Sequence, residues 1–127
     1  MIKDNHLSSL KNLSVLKSKM QDFRKKTKKK IEVEADHLSQ LPQILAAQPD
    51  MILLDNMNIR RLKKAVKIIR SSKLRPIPLI EASGGIALRN ARKVAQTGVD
   101  RISIGALTHS RKAVDFSLEI LWTLQFS

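Results

Sequence analysis

Cysteine is absent from the 127 residues, so neither a disulfide framework nor a thiolate zinc site is available, and nothing argues for an oxidising compartment. Tyrosine is absent as well and aromatic residues make up 3% of the chain, which leaves little from which to build the base-stacking platforms of single-strand-binding proteins. No apolar run approaches the roughly 18 residues of a membrane span. The first residues, Lys3, Asp4 and His6 among them, lack the continuous apolar stretch of a signal peptide. The expectation is a soluble cytoplasmic protein with no membrane partner. There is no GxxxxGK[ST] loop for a nucleoside triphosphate, and no serine, histidine and acid fall in a recognisable nucleophile setting, so ATPase and hydrolase chemistry drop out.

Negative charge is scarce: 11 acidic residues face 24 lysines and arginines, a formal net charge of +13. Where the cations sit matters more than their sum. Eight of the fourteen residues from Lys17 to Lys30 are basic. A second group, Arg60, Arg61, Lys63, Lys64, Lys67 and Arg70, accompanies apolar residues Ile59, Leu62, Val66 and Ile69 at helical spacing, which assigns the cations to the outer face of a helix. A solvated helix surface is the plain reading. Basic patches alone support salt-sensitive, sequence-blind contact, so no specific nucleic acid is expected as a partner.

What the chain does have is a series of hydrophobic, strand-like runs that each end in polar residues: Lys3 in MIKDNH, Glu34 in IEVEAD, Asp55 in MILLDN, Ser83-Gly84-Gly85 in LIEASGG, and Gly105 to His109 in ISIGALTH. One such unit means little. Several in series match a parallel α/β barrel, which gathers its chemistry at the carboxyl ends of its strands. A complete eight-fold barrel usually takes about 250 residues, so the fold class expected here is α/β, an incomplete parallel barrel. Residues 1–113 are assigned to this partial barrel and 114–127 to a carboxy-terminal strand and tail.

Along the chain, Met1-Ile2 reads as the stub of a strand ending at Lys3, and a polar helix with a thin core stripe follows between about Ser9 and Thr27. Ile31 to Ala35 alternates in the strand manner. A short helix starts near Ser39, because Pro42 is tolerated in a first turn and not deeper. Met51 to Leu54 is a buried-type strand closed by Asp55, with Asn58 able to cap a helix running to about Ser71. Lys73 to Pro78 is a loop, Leu79 to Ala82 another strand, and a helix from about Ala87 stops at Gly98, the residue type expected just past a helix end. Arg101 to Ile104 gives the last barrel-like strand. In the tail, Val114, Phe116, Leu118 and Ile120 alternate with Asp115, Ser117 and Glu119, a period-two pattern suited to a strand with one wet face. Such a strand needs a sheet partner, and Trp122, Leu124 and Phe126 continue its apolar side.

Ser83-Gly84-Gly85 leading into a helix presents backbone N–H groups at a positive dipole end, which suits a phosphate, and Gly105 allows close backbone approach on the adjacent strand. The plain alternative is that these glycines only make tight strand-to-helix turns. Glu34 and Asp55 fall on neighbouring strands, where carboxylates can bind sugar hydroxyls or water around a divalent cation; the alternative is that each caps the helix after it. Lys3 either meets an anion or sits at a surface strand end. His6 and His109 are too scattered for a metal site.

Taken together and in order, IKDNH (Ile2 to His6), KIEVEAD (Lys30 to Asp36), DMILLDNM (Asp50 to Met57), EASGGI (Glu81 to Ile86), TGVDRISIGALTHS (Thr97 to Ser110) and VDFSLEI (Val114 to Ile120) closely resemble blocks of quinolinate phosphoribosyltransferase, also called nicotinate-nucleotide pyrophosphorylase (carboxylating). The resemblance implies a glycosyltransferase of NAD biosynthesis that moves phosphoribose from phosphoribosyl pyrophosphate to quinolinate, releasing carbon dioxide and pyrophosphate and giving nicotinate mononucleotide, with Mg2+ accompanying the pyrophosphate. It implies that Lys3 faces the anionic substrates and that Glu34 and Asp55 hold the ribose hydroxyls and help place the metal-bound pyrophosphate. Ser83, Gly84 and Gly85, with Ile104, Gly105 and Ala106, then bind the phosphate of the phosphoribosyl group, and His109 lies nearby. A full member of this family is roughly twice as long, with an amino-terminal domain and the first barrel strands ahead of IKDNH. The expectations are therefore a gene fragment, a misplaced start or half of a split enzyme, not self-sufficient in catalysis. It would work as a homodimer or higher oligomer, or with a complementing amino-terminal chain. A transferase of the same fold with another acceptor, like the molybdenum-locus relatives, and a non-catalytic basic remnant that binds polyanions are the alternatives.

Overall fold

The structure, a computed structural model, describes residues 13–105. The expected strand stub at Met1-Ile2, the tail strand over 114–127, and Lys3, His6, Ala106 and His109 lie outside the described residues. In chain order the elements are α1 (Leu13–Lys26), β1 (Glu32–Ala35), a 3-10 turn (Leu38–Gln40), α2 (Leu41–Ala46), β2 (Met51–Asp55), α3 (Ile59–Arg70), β3 (Leu79–Ser83), α4 (Leu88–Ala95) and β4 (Arg101–Ile102). Every described element expected from the sequence is present, and β4 is shorter than the Arg101 to Ile104 run. Local chemistry sets the boundaries. Pro42 falls in the first turn of α2, where a missing N–H costs nothing, and the Asn58 side chain accepts the Arg61 N–H at 3.0 Å to cap α3.

The four strands form one sheet in the order β1-β2-β3-β4, each pair parallel. Alternation assigns the two faces. Val33, Ala35, Ile52, Leu54, Ile80 and Ala82 are all buried at 0% exposure and share one cluster with Met20 of α1, Ile44 of α2, Leu62, Val66 and Ile69 of α3 and Val94 of α4. All described helices therefore pack on the same face. Parallel neighbours joined in sequence order with every helix on one side is the winding of a barrel; a doubly wound sheet carries helices on both sides. The opposite face, which a closed barrel turns inward, carries Glu32, Glu34, Leu53, Asp55, Glu81 and Arg101. The register sets Glu34 beside Leu53, Leu53 beside Glu81 and Glu81 beside Arg101.

The amino-terminal ends of the strands are tied by a device that occurs twice. The residue before β2 is Asp50 and the residue before β4 is Asp100. Asp50 Oδ2 accepts the Ile31 N–H at 2.7 Å, and Asp100 Oδ2 accepts the Ile80 N–H at 2.7 Å. The same two aspartates return backbone N–H bonds to Ile31 and Ile80 at 2.9 and 2.8 Å. Each also meets an arginine from the last turn of the helix that precedes its strand pair: Arg24 at 3.2 Å from Asp50 and Arg70 at 2.6 Å from Asp100. Each arginine donates in addition to the carbonyl of a left-handed residue two positions before its aspartate, Arg24 to Gln48 at 2.7 Å and Arg70 to Gly98 at 3.4 Å. Gln48 has φ 56° and Gly98 φ 91°. Each such clamp joins one pair of adjacent strands.

Candidate functional site

At the carboxyl ends of β1 and β2, one carboxylate oxygen each from Glu34, Asp36 and Asp55 lies within 4.8 Å of the others, all three half-buried. Alternation explains the first two: residues two apart on an extended strand point to the same side. Asp55 arrives because β2 runs parallel to β1 and one residue further, Ala35 pairing with Leu54. Hard oxygen donors at this separation fit a divalent cation of the magnesium or calcium kind. Neither Glu34 nor Asp55 serves as a helix cap, the alternative open from sequence. Asn58 caps α3, and the turn after β1 is closed by the Gln40 side chain, which accepts the Asp36 and His37 N–H groups at 2.8 Å.

Asp36 is a member that strand-end reasoning passed over, although the Glu-x-Asp spacing carried the signal. Its main chain is held from the neighbouring helix: Arg61 donates to the Asp36 carbonyl at 2.7 Å and stands 3.1 Å from His37 Nδ1. The outer-face assignment of the second basic group therefore needs correcting at Arg61, which is half-buried at the rim, and at Arg70, which belongs to the Asp100 clamp.

The glycine turn stands next to the acids. Asp55 pairs with Ser83 in register, and the Asn56 N–H extends the ladder by donating to the Ser83 carbonyl at 3.1 Å. Asn56 adopts φ 48°, a left-handed conformation asparagine tolerates better than most residues. Its amide donates to Asp55 Oδ2 at 2.7 Å, while its side chain packs against Gly84. A Cβ at Gly84 would stand 2.6 Å from Asn56 Cγ and 2.6 Å from its backbone nitrogen, so glycine is demanded there by space as well as by its φ of 80°. Gly85, with φ 61°, has nothing within 4 Å of a Cβ position. Asn90, in the first turn of α4, fastens the far side of this turn, accepting the Ala87 N–H at 2.8 Å and donating to the Gly85 carbonyl at 3.1 Å. Among the described residues, the N–H groups of Gly84, Gly85 and Ile86 take no part in the turn and cap bonds of this corner, and α4 begins two residues beyond Ile86. That arrangement suits an anion.

Beyond the end of β4, Ile104 is partly buried against the core, so its side chain does packing, and Gly105 is exposed. Below the rim, Glu81 accepts the Ser103 hydroxyl at 2.5 Å. Burial, and next the Glu81 carboxylate two strands away on β3, push the Glu32 carboxyl above the usual range, with Arg101 opposing them. A cleft of about 250 Å³ lined by Arg24, Asp50, Leu74 and Pro76 lies at the other end of the sheet, beside the Asp50 clamp.

Fold and rim together define one wall of a singly wound parallel α/β barrel with an acidic, glycine-bordered mouth. Residues 1–119 match the family model described as quinolinate phosphoribosyl transferase, C-terminal domain, and the chain belongs to that family. It is 40% identical over 125 residues to a probable nicotinate-nucleotide pyrophosphorylase (carboxylating) of Methanocaldococcus jannaschii, covering 95% of this chain and 43% of that protein. It is 39% identical over 120 residues to the nicotinate-nucleotide pyrophosphorylase (carboxylating) of Mycobacterium leprae, covering 94% and 41%. Among solved structures, the nicotinate-nucleotide pyrophosphorylase of Francisella tularensis superposes with a TM-score of 0.71 at 35% identity, over 90% of this chain and 38% of that one. The chain thus spans about two fifths of the length of the curated relatives it matches. No helix of the described residues is long and apolar enough to cross a membrane.

Proposed function

We propose that this chain supplies the phosphoribosyl pyrophosphate side of a quinolinate phosphoribosyltransferase active site, in which phosphoribose passes to quinolinate with loss of pyrophosphate and carbon dioxide to give nicotinate mononucleotide. The observation that carries the reading is the meeting of Glu34, Asp36 and Asp55 within 4.8 Å beside a Ser83-Gly84-Gly85 turn that Asn56 ties to Asp55.

In this reading Glu34 and Asp55 accept hydrogen bonds from the ribose hydroxyls, and the amides from Gly84 onward, with those of Ile104, Gly105 and Ala106, hold the phosphate at the other end of the sugar. Ser83 contributes its hydroxyl beside Asp55, and Lys3 and His109 face the anionic groups. Fixing both ends of the sugar holds the anomeric carbon still while its bond to pyrophosphate breaks and the bond to the quinolinate ring nitrogen forms, so orientation supplies much of the acceleration and no covalent enzyme intermediate is needed. The carboxylates also favour the positive charge that develops on the ribose. Glu34, Asp36 and Asp55 would hold a magnesium ion, which when bound would neutralise charge on the departing pyrophosphate. The names and organisms of the relatives support the substrates; the lack of cysteine supports a cytoplasmic setting. The dimeric or higher assembly implied by the family resemblance is part of the same proposal.

The test is calorimetric titration of the chain with phosphoribosyl pyrophosphate and magnesium. Each hydrogen bond to a charged group is worth about 1.5–3 kcal/mol, so Asp55→Ala and Glu34→Ala are expected to weaken binding by roughly tenfold to a hundredfold, and Asp36→Asn to weaken it mainly through magnesium. Binding unchanged in Asp55→Ala and Glu34→Ala ends the proposal.

A further inference from the structure

Asp36 stands just past the end of the β1–β2 ladder, whose last register pair is Ala35 with Leu54, yet its carboxylate belongs to the same cluster as those of Glu34 and Asp55. Two side chains hold it from different directions. Gln40, in the same segment, accepts the Asp36 and His37 N–H groups at 2.8 Å each and so shapes the turn from within. Arg61 comes from another element, the first turn of α3, 25 residues away in sequence. Its Nη2 donates to the Asp36 carbonyl at 2.7 Å and lies 3.1 Å from His37 Nδ1. A guanidinium has no lone pair to offer, so Nδ1 is the acceptor and the ring proton sits on Nε2. One nitrogen thus directs both of its hydrogens at consecutive residues of the turn. Arg61 is itself fixed: its own N–H is held by Asn58 Oδ1 at 3.0 Å, and the next residue, Leu62, lies in the core.

We propose that Arg61 is a positioning residue for the acidic cluster: from α3 it fixes where Asp36 stands relative to Asp55, and through Asp36 it sets how tightly the mouth holds a divalent cation. The helix that carries Arg61 follows directly on the turn after β2, so the arginine spans the two strand ends from which the three carboxylates come. No ladder bond does this for Asp36, because the register ends at Ala35. Groups that orient a metal ligand without touching the metal are commonly worth roughly tenfold to a hundredfold in affinity. The proposal deepens the magnesium reading of the cluster and rests on it.

Manganese stands in for magnesium in the experiment, because its paramagnetism lets free and bound ion be counted by electron paramagnetic resonance with no substrate present. The full 127-residue chain is titrated as native, Arg61→Met, Asp36→Asn and the double variant. Arg61→Met keeps an unbranched apolar stem and loses both bonds to the turn, and it is expected to raise the manganese dissociation constant by roughly tenfold or more. Because Arg61 acts through Asp36, the same change made in the Asp36→Asn chain is expected to add less than about twofold. Arg70→Met separates a merely structural role: it breaks the Asp100 clamp made by the same helix, and it is expected to lower the melting temperature while leaving manganese affinity as it was. If circular dichroism shows Arg61→Met unfolded, Arg61→Lys, which keeps the charge and not the planar fork, takes its place and must raise the constant by about threefold or more. Unaltered manganese affinity in the Arg61 variant overturns the proposal, as do equal losses with and without Asp36, a matching loss in Arg70→Met, or no manganese binding by the native chain. Failure of phosphoribosyl pyrophosphate to bind in its own titration ends the substrate reading and leaves Arg61 judged on manganese, whereas a null result for Arg61 leaves the substrate titration standing.

Discussion

Two adjacent glycines of the rim do different work. Gly84 is hemmed in by Asn56 and has φ 80°, whereas Gly85 has φ 61° and open space around it. Alanine at Gly84 would therefore meet both backbone strain of about 1–3 kcal/mol and a collision that only movement of Asn56 relieves. Alanine at Gly85 meets the strain alone. Gly84→Ala is expected to lower the melting temperature more than Gly85→Ala, with about 1 kcal/mol corresponding to roughly 4–8 °C in a domain of this size. Because Asn56 also bonds Asp55, Gly84→Ala should weaken phosphoribosyl pyrophosphate binding as well, which differential scanning fluorimetry with and without ligand would reveal. The sequence displayed the need for glycine after LIEAS but not its cause, since Asn56 reaches Gly84 from a different strand end and only the strand pairing brings them together.

The elements were largely readable because each carries its own signal: alternation in Ile31 to Ala35, helical spacing from Ile59 to Ile69, an asparagine cap at Asn58 and a left-handed glycine at Gly98. The aspartate clamps were not, because their partners sit across the sheet and in a preceding helix. Asp50 and Asp100 look in sequence like ordinary loop residues before a strand. In the fold each accepts a backbone N–H at the start of the neighbouring strand, from Ile31 just before β1 or from Ile80 in β3, and meets an arginine. Asp100→Ala should cost about 1–3 kcal/mol, the usual penalty when a partly buried N–H is left without its acceptor. Asp100→Asn, able to keep the Ile80 bond, should cost less, and Arg70→Ala less again, as befits a half-exposed ion pair. Urea unfolding at fixed salt measures all three; equal midpoints for Asp100→Ala and the native chain would remove the clamp from the stability of the sheet. The inward face makes an opposite prediction. Burial and Glu81 raise the Glu32 carboxyl, so in the window from the ordinary glutamate value up to the raised one the folded state binds more protons than the unfolded chain. Stability on this account falls as pH climbs through that window. Glu32→Gln should be more stable than the native chain at neutral pH by a fraction of a kcal/mol, since the group is only half-buried. The advantage should vanish below the ordinary glutamate value, as a pair of melting series at about pH 4 and about pH 7 would record.

At the scale of the whole molecule, charge is sorted by face. The exposed cations of α1, of Lys28 to Lys30 and of α3 point outward, while Glu32, Glu34, Asp36, Asp55 and Glu81 gather at the mouth and along the inward strands. Two kinds of anion should accordingly be told apart by the same protein. A polyanion such as heparin or duplex DNA would meet the outward lysines through counterion release, with a strong dependence on salt and none on the mouth. A small phosphorylated sugar with magnesium would depend on the mouth and only weakly on bulk salt, since partly enclosed charges are poorly screened. Lys28→Ala/Lys29→Ala/Lys30→Ala should lower the slope of log affinity for DNA against log salt by up to about 3, at roughly 0.9 for each phosphate that a lysine no longer neutralises. It should leave phosphoribosyl pyrophosphate titrations unchanged, and Asp55→Ala should do the reverse. If Asp55→Ala instead left both ligands bound as before, the acidic mouth would have no part in anion recognition and the family fold would be serving here as a cationic scaffold.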